Sequence, residues 1–238
     1  MLKRLNNYFT SFEKILWISS VALILLSYFI FDATDTLTLT ASLVGVTSLI
    51  LGAKGNPISQ FLMIIFSILY GVISYTFEYY GEMITYLGMS MPMAAFSLVS
   101  WLKNPYKGKK SEVEVGTLKK YEHLLIAFLT ALVTVIFYFI LKVFGTANLI
   151  PSTVSVTTSF LAVYLTFRRN PYFAFAYALN DVVLIVLWVL AAMTNISYVS
   201  VIICFVVFLV NDIYGFVSWQ RMKKRQAQGE GMSYDRVN

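Results

Sequence analysis

Long apolar runs separated by short polar breaks make up most of the chain. The runs fall near 14–31, 36–53, 57–77, 81–102, 121–144, 151–167, 171–193 and 197–219. They are continuous, whereas strands of a membrane barrel would alternate apolar and polar positions. Most approach the roughly 20 residues that a helix needs to cross a bilayer. Lipid leaves the backbone only helices or closed barrels. The pattern therefore predicts an all-α membrane protein with eight transmembrane helices. Basic residues precede the first run, as in a signal peptide, but the run is long for one and lacks a small-x-small exit, so it reads as a span. The second and sixth runs are rich in Ser and Thr, which favour close helix packing in membranes. Pro92 predicts a kink in the fourth, where freed backbone can face a cavity.

Composition agrees. Of 238 residues, 58% are hydrophobic and 13% charged, more apolar surface than a soluble domain can hide. The net charge of +6 is informative through its placement. Of the 18 Lys and Arg, all but Lys142 fall at the N-terminus, in the second, fourth and sixth breaks, or at the C-terminus. Eight spans put those segments on one side, so both termini are expected in the cytoplasm. Asp32, Asp35, Glu78 and Glu82 are expected near the opposite face. Residues 103–120 form the only long polar connection, and the tail beyond Lys224 is expected to be disordered. Cys204 lies in an apolar run and reads as packing, and His123 as a solvated residue at a helix start.

The chain also repeats itself. A Ser/Thr-rich run, a basic turn and Asn-Pro occur at Lys54-Gly55-Asn56-Pro57 and again at Arg168-Arg169-Asn170-Pro171. Asn caps a helix and Pro fits its first turn. Val-Ser-Trp101 and Val-Ser-Trp219 then close each unit, both Trp reading as aromatic-belt anchors. An offset of four spans makes the repeats parallel, related by an axis along the membrane normal. The expected organisation is an N-terminal tail and extra helix in 1–35, a three-helix repeat in 36–102 and a basic loop with linker helix in 103–149. A second repeat follows in 150–220, with a basic tail in 221–238.

Candidate chemistry lies in the seventh and eighth runs. A mid-membrane carboxylate costs roughly 2.5–3.5 kcal/mol on insertion scales, so Asp181 needs a partner or a wet cavity. On a helix Tyr177, Asn180, Asp181, Leu184 and Trp188 share a face. Asn211 and Asp212 offer a second pair on the next helix. For either pair, the alternative is an interhelical hydrogen bond that only fixes packing. Aligning Asn56 with Asn170 sets Phe66 and Ser67 opposite Asn180 and Asp181, so recognition is expected from the second half. Gln60, Tyr70 and Tyr86 are the first-half candidates. Two membrane Asp also suggest a proton-driven carrier or an intramembrane aspartyl protease. The protease motifs Gly-x-Gly-Asp and Pro-Ala-Leu are absent, and the one His, His123, stands at the start of a span rather than within it. No Walker motif or metal-ligand cluster is present, and no cofactor is expected.

Together the Asn-Pro turns, the Asn-Asp pairs and the Val-Ser-Trp endings resemble the PnuC vitamin transporters, over nearly the whole chain from the second helix. The likeness is greatest to the nicotinamide riboside members from Gram-positive bacteria. It implies a 3+1+3 fold like that of the SWEET sugar carriers, with the first helix as an extra span. It also implies a homotrimer, and facilitated diffusion with trapping by a cytosolic nicotinamide riboside kinase. Many members have a Trp-rich entry to the seventh helix, where this chain has Phe173, Phe175 and Tyr177. Thiamine, riboflavin and deoxynucleosides therefore stay open as substrates. So do ion-coupled transport and a role as the binding subunit of an energised uptake complex.

Overall fold

In a computed structural model the protein is described over residues 8–31, 33–76, 79–146 and 148–234. Lys3, Arg4, Asp32, Glu78 and Arg236, which entered the charge pattern, lie outside the described residues. The helices are α1 (Ser11–Phe31), α2 (Thr36–Gly52), α3 (Ile58–Thr76), α4 (Tyr80–Lys103), α5 (Lys120–Val143), α6 (Leu149–Phe167), α7 (Tyr172–Ala192) and α8 (Val199–Tyr234). Seven are long and apolar enough to cross a membrane; α2 is shorter, at 17 residues. At ~1.5 Å per residue it still reaches most of the way across a ~30 Å hydrocarbon layer. The expected helices are thus all present.

Two expectations need correction. The tail does not fray at Lys224, because α8 continues to Tyr234. Gln226 holds it down: its amide donates to Val113 O and Glu112 Oε1, and its oxygen accepts from Val115 N–H. Trp101 and Trp219 are fully buried, not belt anchors. Each indole reaches across to the other half of the chain. Trp101 Nε1 donates to Thr166 O at 2.9 Å, and Trp219 Nε1 to Gly52 O at 2.8 Å. The preceding serines do the same, Ser100 to Phe167 O and Ser218 to Ala53 O. The two rings meet with centroids 5.3 Å apart.

The break-and-cap turns match closely. Asn56 Oδ1 accepts from Ile58 N–H at 3.0 Å, and Asn170 Oδ1 from Tyr172 N–H at 3.1 Å. The residue before each Asn has a left-handed backbone, Gly55 at φ 66° and Arg169 at φ 56°. Each turn's leading cation is held by a buried glutamate in the first turn of another helix. Lys54 meets Glu13 of α1 at 3.1 Å, and Arg168 meets Glu122 of α5 at 2.6 Å. Both glutamates also accept a backbone N–H three residues back, from Thr10 and Lys119, in capping-box fashion.

The connection after α4 folds into a hairpin, β1 (Pro105–Tyr106) and β2 (Lys109–Val113), turned by Lys107 and Gly108 at positive φ. It straps the two turns together: Val113 N–H donates to Gly55 O and Gly116 N–H to Arg169 O, each at 2.9 Å. Just before Pro92 the helix widens. A π-helical turn at Tyr86–Ser90 precedes it, and Met91 N–H reaches back to Tyr86 O. Proline has no N–H and crowds the carbonyl four residues back, so the helix takes up one extra residue.

In the core, α8 packs on α7, α1 and α2, while α3 packs on α2 and α4, and α6 on α7, α4 and α5. Gly45 lets α2 approach the others closely; a Cβ there would lie 2.3 Å from Phe208 Cζ. α5 touches mainly α6 and presents Leu124, Phe128, Leu132, Val135 and Phe139 outward.

Candidate functional site

The centre of the bundle is lined by α3, α4, α7 and α8. On α7, Tyr177, Asp181, Leu184 and Trp188 recur at three- and four-residue spacing and face inward. Asp181 is 4% exposed and Asp212 of α8 is 5% exposed. Their carboxyl groups lie close to one another. Asp181 Oδ2 nonetheless has no hydrogen-bond partner among the described residues. Neither acid is among the ion pairs of the described residues, so this is a concentrated acidic spot inside an apolar bundle.

The two asparagines do not join that spot. Asn180 turns to α6, donating to Ser155 O and Thr158 Oγ1, each at 3.0 Å. Asn211 turns to α1, donating to Ser20 Oγ at 3.0 Å and to Val207 O at 2.8 Å. Neighbouring helix positions diverge by ~100°. Each Asn-Asp pair is thereby split, with the amide bracing a neighbouring helix and the acid facing the centre. Sequence reading weighed each pair as a unit, for substrate contact or for packing; it is the amides that make interhelical hydrogen bonds.

Toward the basic end lies a small cavity, with about 20 Å³ of water-accessible space, lined in part by Gln60, Met63, Tyr177, Asp212 and Gly215. That is close to the room for one water molecule. Toward the other end Tyr70 and Tyr86 approach to 4.5 Å between centroids, and Trp188 Nε1 donates to Tyr70 OH at 2.7 Å. Phe66 stacks on Tyr70 at 5.5 Å, and Phe205 meets Tyr70 edge-on at 5.6 Å. A second small cavity, lined by Ser27, Asp35, Thr38, Ser42 and Ser200, lies beyond this aromatic layer. Both cavities are small, so a molecule larger than water needs more room than either offers.

The structure therefore gathers Gln60, Tyr70, Tyr86, Tyr177, Asp181, Trp188 and Asp212 about one centre and sets Asn180 and Asn211 on its flanks. Sequence reading missed three groups there. Ser155 anchors Asn180, Ser20 anchors Asn211, and Glu82, placed by sequence near a membrane face, is buried beside Ser155. The spacing Tyr79-x-x-Glu82-x-x-x-Tyr86 was the available signal for Glu82, since it sets all three on one helical face.

An all-helical membrane bundle around a buried acidic and aromatic centre fits a small-molecule transporter. A family model described as "Nicotinamide mononucleotide transporter" matches residues 35–221, and the chain belongs to this family, that of the PnuC-type transporters. It is 27% identical over 224 residues to a nicotinamide riboside transporter PnuC from Neisseria mucosa, covering 92% of this chain and 84% of that one. A solved structure described as the vitamin B3 transporter PnuC superposes with a TM-score of 0.80 at 24% identity, covering 92% of this chain and 94% of that one.

Proposed function

We propose that this protein takes up nicotinamide riboside across the cytoplasmic membrane by facilitated diffusion, without ion coupling. A cytosolic kinase then traps the substrate by phosphorylation. The observation that carries the reading is the Asp181–Asp212 spot walled by Tyr70, Tyr86, Tyr177 and Trp188. Nicotinamide riboside has a flat, cationic pyridinium ring. Aromatic faces and a nearby carboxylate suit it, and its ribose hydroxyls suit acid or amide acceptors. The relative named as a nicotinamide riboside transporter supports the same substrate.

The reciprocal Trp101 and Trp219 bonds and the paired Asn turns support two parallel three-helix repeats, α2–α4 and α6–α8, joined by α5 and preceded by α1. Rocking of these halves would open the centre to each side in turn. The charge distribution supports both termini in the cytoplasm. The apolar outer face of α5 suits packing in a homotrimer as well as contact with lipid.

The test is uptake of labelled nicotinamide riboside by purified protein in liposomes, alongside thiamine, riboflavin and deoxynucleosides. Voltage is clamped at zero by ionophores. Equilibration without accumulation is expected. Concentrative uptake under an imposed pH or sodium gradient would reject the uncoupled mechanism, and preference for another vitamin would reject the substrate.

A further inference from the structure

Glu82 stands in the first turn of α4 yet is only 4% exposed. Burying a carboxylate is costly unless its oxygens are satisfied. The side chain lies beside the hydroxyl of Ser155, and Oε2 has no hydrogen-bond partner among the described residues. Nor is Glu82 in any ion pair among them. A purely structural acid would be bonded on both sides, as Glu13 is by Lys54, Tyr214 and Thr10 N–H.

Its surroundings suit an organic cation. Tyr79, Glu82 and Tyr86 lie at spacings of three and four, hence on one face of the helix start. Tyr86 meets Tyr70 at 4.5 Å, and Tyr79 meets Trp188 at 5.1 Å, so this face turns toward the aromatic layer. Glu82 lies near Tyr70, Tyr79 and Tyr86. Ser155, beside Glu82, also accepts from Asn180, the neighbour of Asp181. Glu82 therefore belongs to the same polar layer as the two aspartates, contributed from the first half of the chain. Aromatic faces beside a carboxylate with a free oxygen form a recognition site for a flat cation.

We propose that Glu82 is a specificity-determining residue of the substrate site, its Oε2 serving as a counter-ion for a pyridinium ring held against Tyr79 and Tyr86. The assignment rests on the nicotinamide riboside reading and adds to it a carboxylate outside the Asn-Asp pairs.

The test compares nicotinamide riboside with its dihydro form, whose ring is uncharged, by calorimetry on the purified full chain in nanodiscs. Glu82→Gln keeps the shape but removes the charge. It is expected to weaken the cationic ligand about tenfold and to leave the neutral one within about twofold. Equal loss for both ligands, or no loss for the cation, overturns the assignment. Should Glu82→Gln fail to fold, Glu82→Asp keeps the charge and shortens the reach. A smaller loss confined to the cation then supports the role, and a loss shared by both ligands overturns it. Wild-type protein that binds neither ligand overturns the nicotinamide riboside reading itself. Wild-type binding with an unresponsive Glu82→Gln overturns only the role of Glu82.

Discussion

The basic end and the centre of this molecule treat its two halves differently. At the basic end the halves correspond bond for bond: paired Asn caps, paired left-handed residues, paired glutamate clasps and two buried Trp that each grip the opposite half. At the centre the correspondence fails. Asn180 and Asp181 stand where the first half has Phe66 and Ser67. The ends perform one mechanical task twice, which equivalent hydrogen bonds serve well. On the proposed function the centre would hold a single molecule with one charged ring and one sugar, which a symmetric pocket would fit poorly.

The largest expected effect tests the matched end. Trp101→Ala and Trp219→Ala each remove a fully buried indole and orphan a helix-end carbonyl. Each should destabilise the protein by about 3–5 kcal/mol, the range for buried aromatics. The two losses should be similar when measured by denaturant unfolding in detergent. A large loss from one and a small loss from the other would break the equivalence of the halves.

The next effect tests the unmatched centre. Asp181→Asn and Asp212→Asn should each weaken nicotinamide riboside binding about tenfold or more, tenfold being ~1.4 kcal/mol. Ser67→Ala, at the place equivalent to Asp181, should stay within about twofold. Calorimetry decides, and a comparable loss at Ser67 would mean that the first half shares in recognition at that level.

Smaller effects are expected at the asparagines. Asn180→Ala leaves Ser155 O and Thr158 without their donor, and Asn211→Ala does so for Ser20. Leaving a buried partner unpaired costs about 1–3 kcal/mol. Melting temperature should fall, and affinity should weaken less than in the aspartate variants because the amides act by setting helix position. If affinity falls as far as for Asp181→Asn, the amide touches the substrate directly.

How much of this was legible in the sequence follows the same division. The spans and the Asn-Pro turns were readable because each depends on local pattern: hydrophobic length and a cap. The direction of Asn180 against Asp181 was not readable, since adjacent helix residues point ~100° apart and only the packed neighbours decide which faces the centre. Glu82 was not singled out because nearness to a helix end suggests water, and its burial arises from α3 and α6 packing against the start of α4. The Trp pair was misread for a related reason. An indole at a helix end fits an interface belt equally well until the opposite half is in place.

The smallest expected effect returns to one departure from equivalence at the matched end. Gly55 and Arg169 occupy the same left-handed position, and only glycine does so freely. A non-glycine residue there costs roughly 1–2 kcal/mol. Arg169 bears a second cost, since its Nε and Nη1 are buried without hydrogen-bond partners among the described residues. Burial pulls its proton affinity below the usual arginine range, with Glu114 opposing and Arg168 adding to the shift. Arg169→Gly relieves the strain and the desolvation, while added freedom in the unfolded chain takes back roughly 0.5–1 kcal/mol. The expected result is a small gain, up to about 1 kcal/mol, seen as a slightly higher melting temperature. Gly55→Arg should do the reverse and by more, because a Cβ there would already press on Met222 at 3.2 Å and Val113 at 3.3 Å. If Arg169→Gly instead lowers the melting temperature, the guanidinium holds something at this end that Gly55 does not have to hold, and the turns are matched in backbone only.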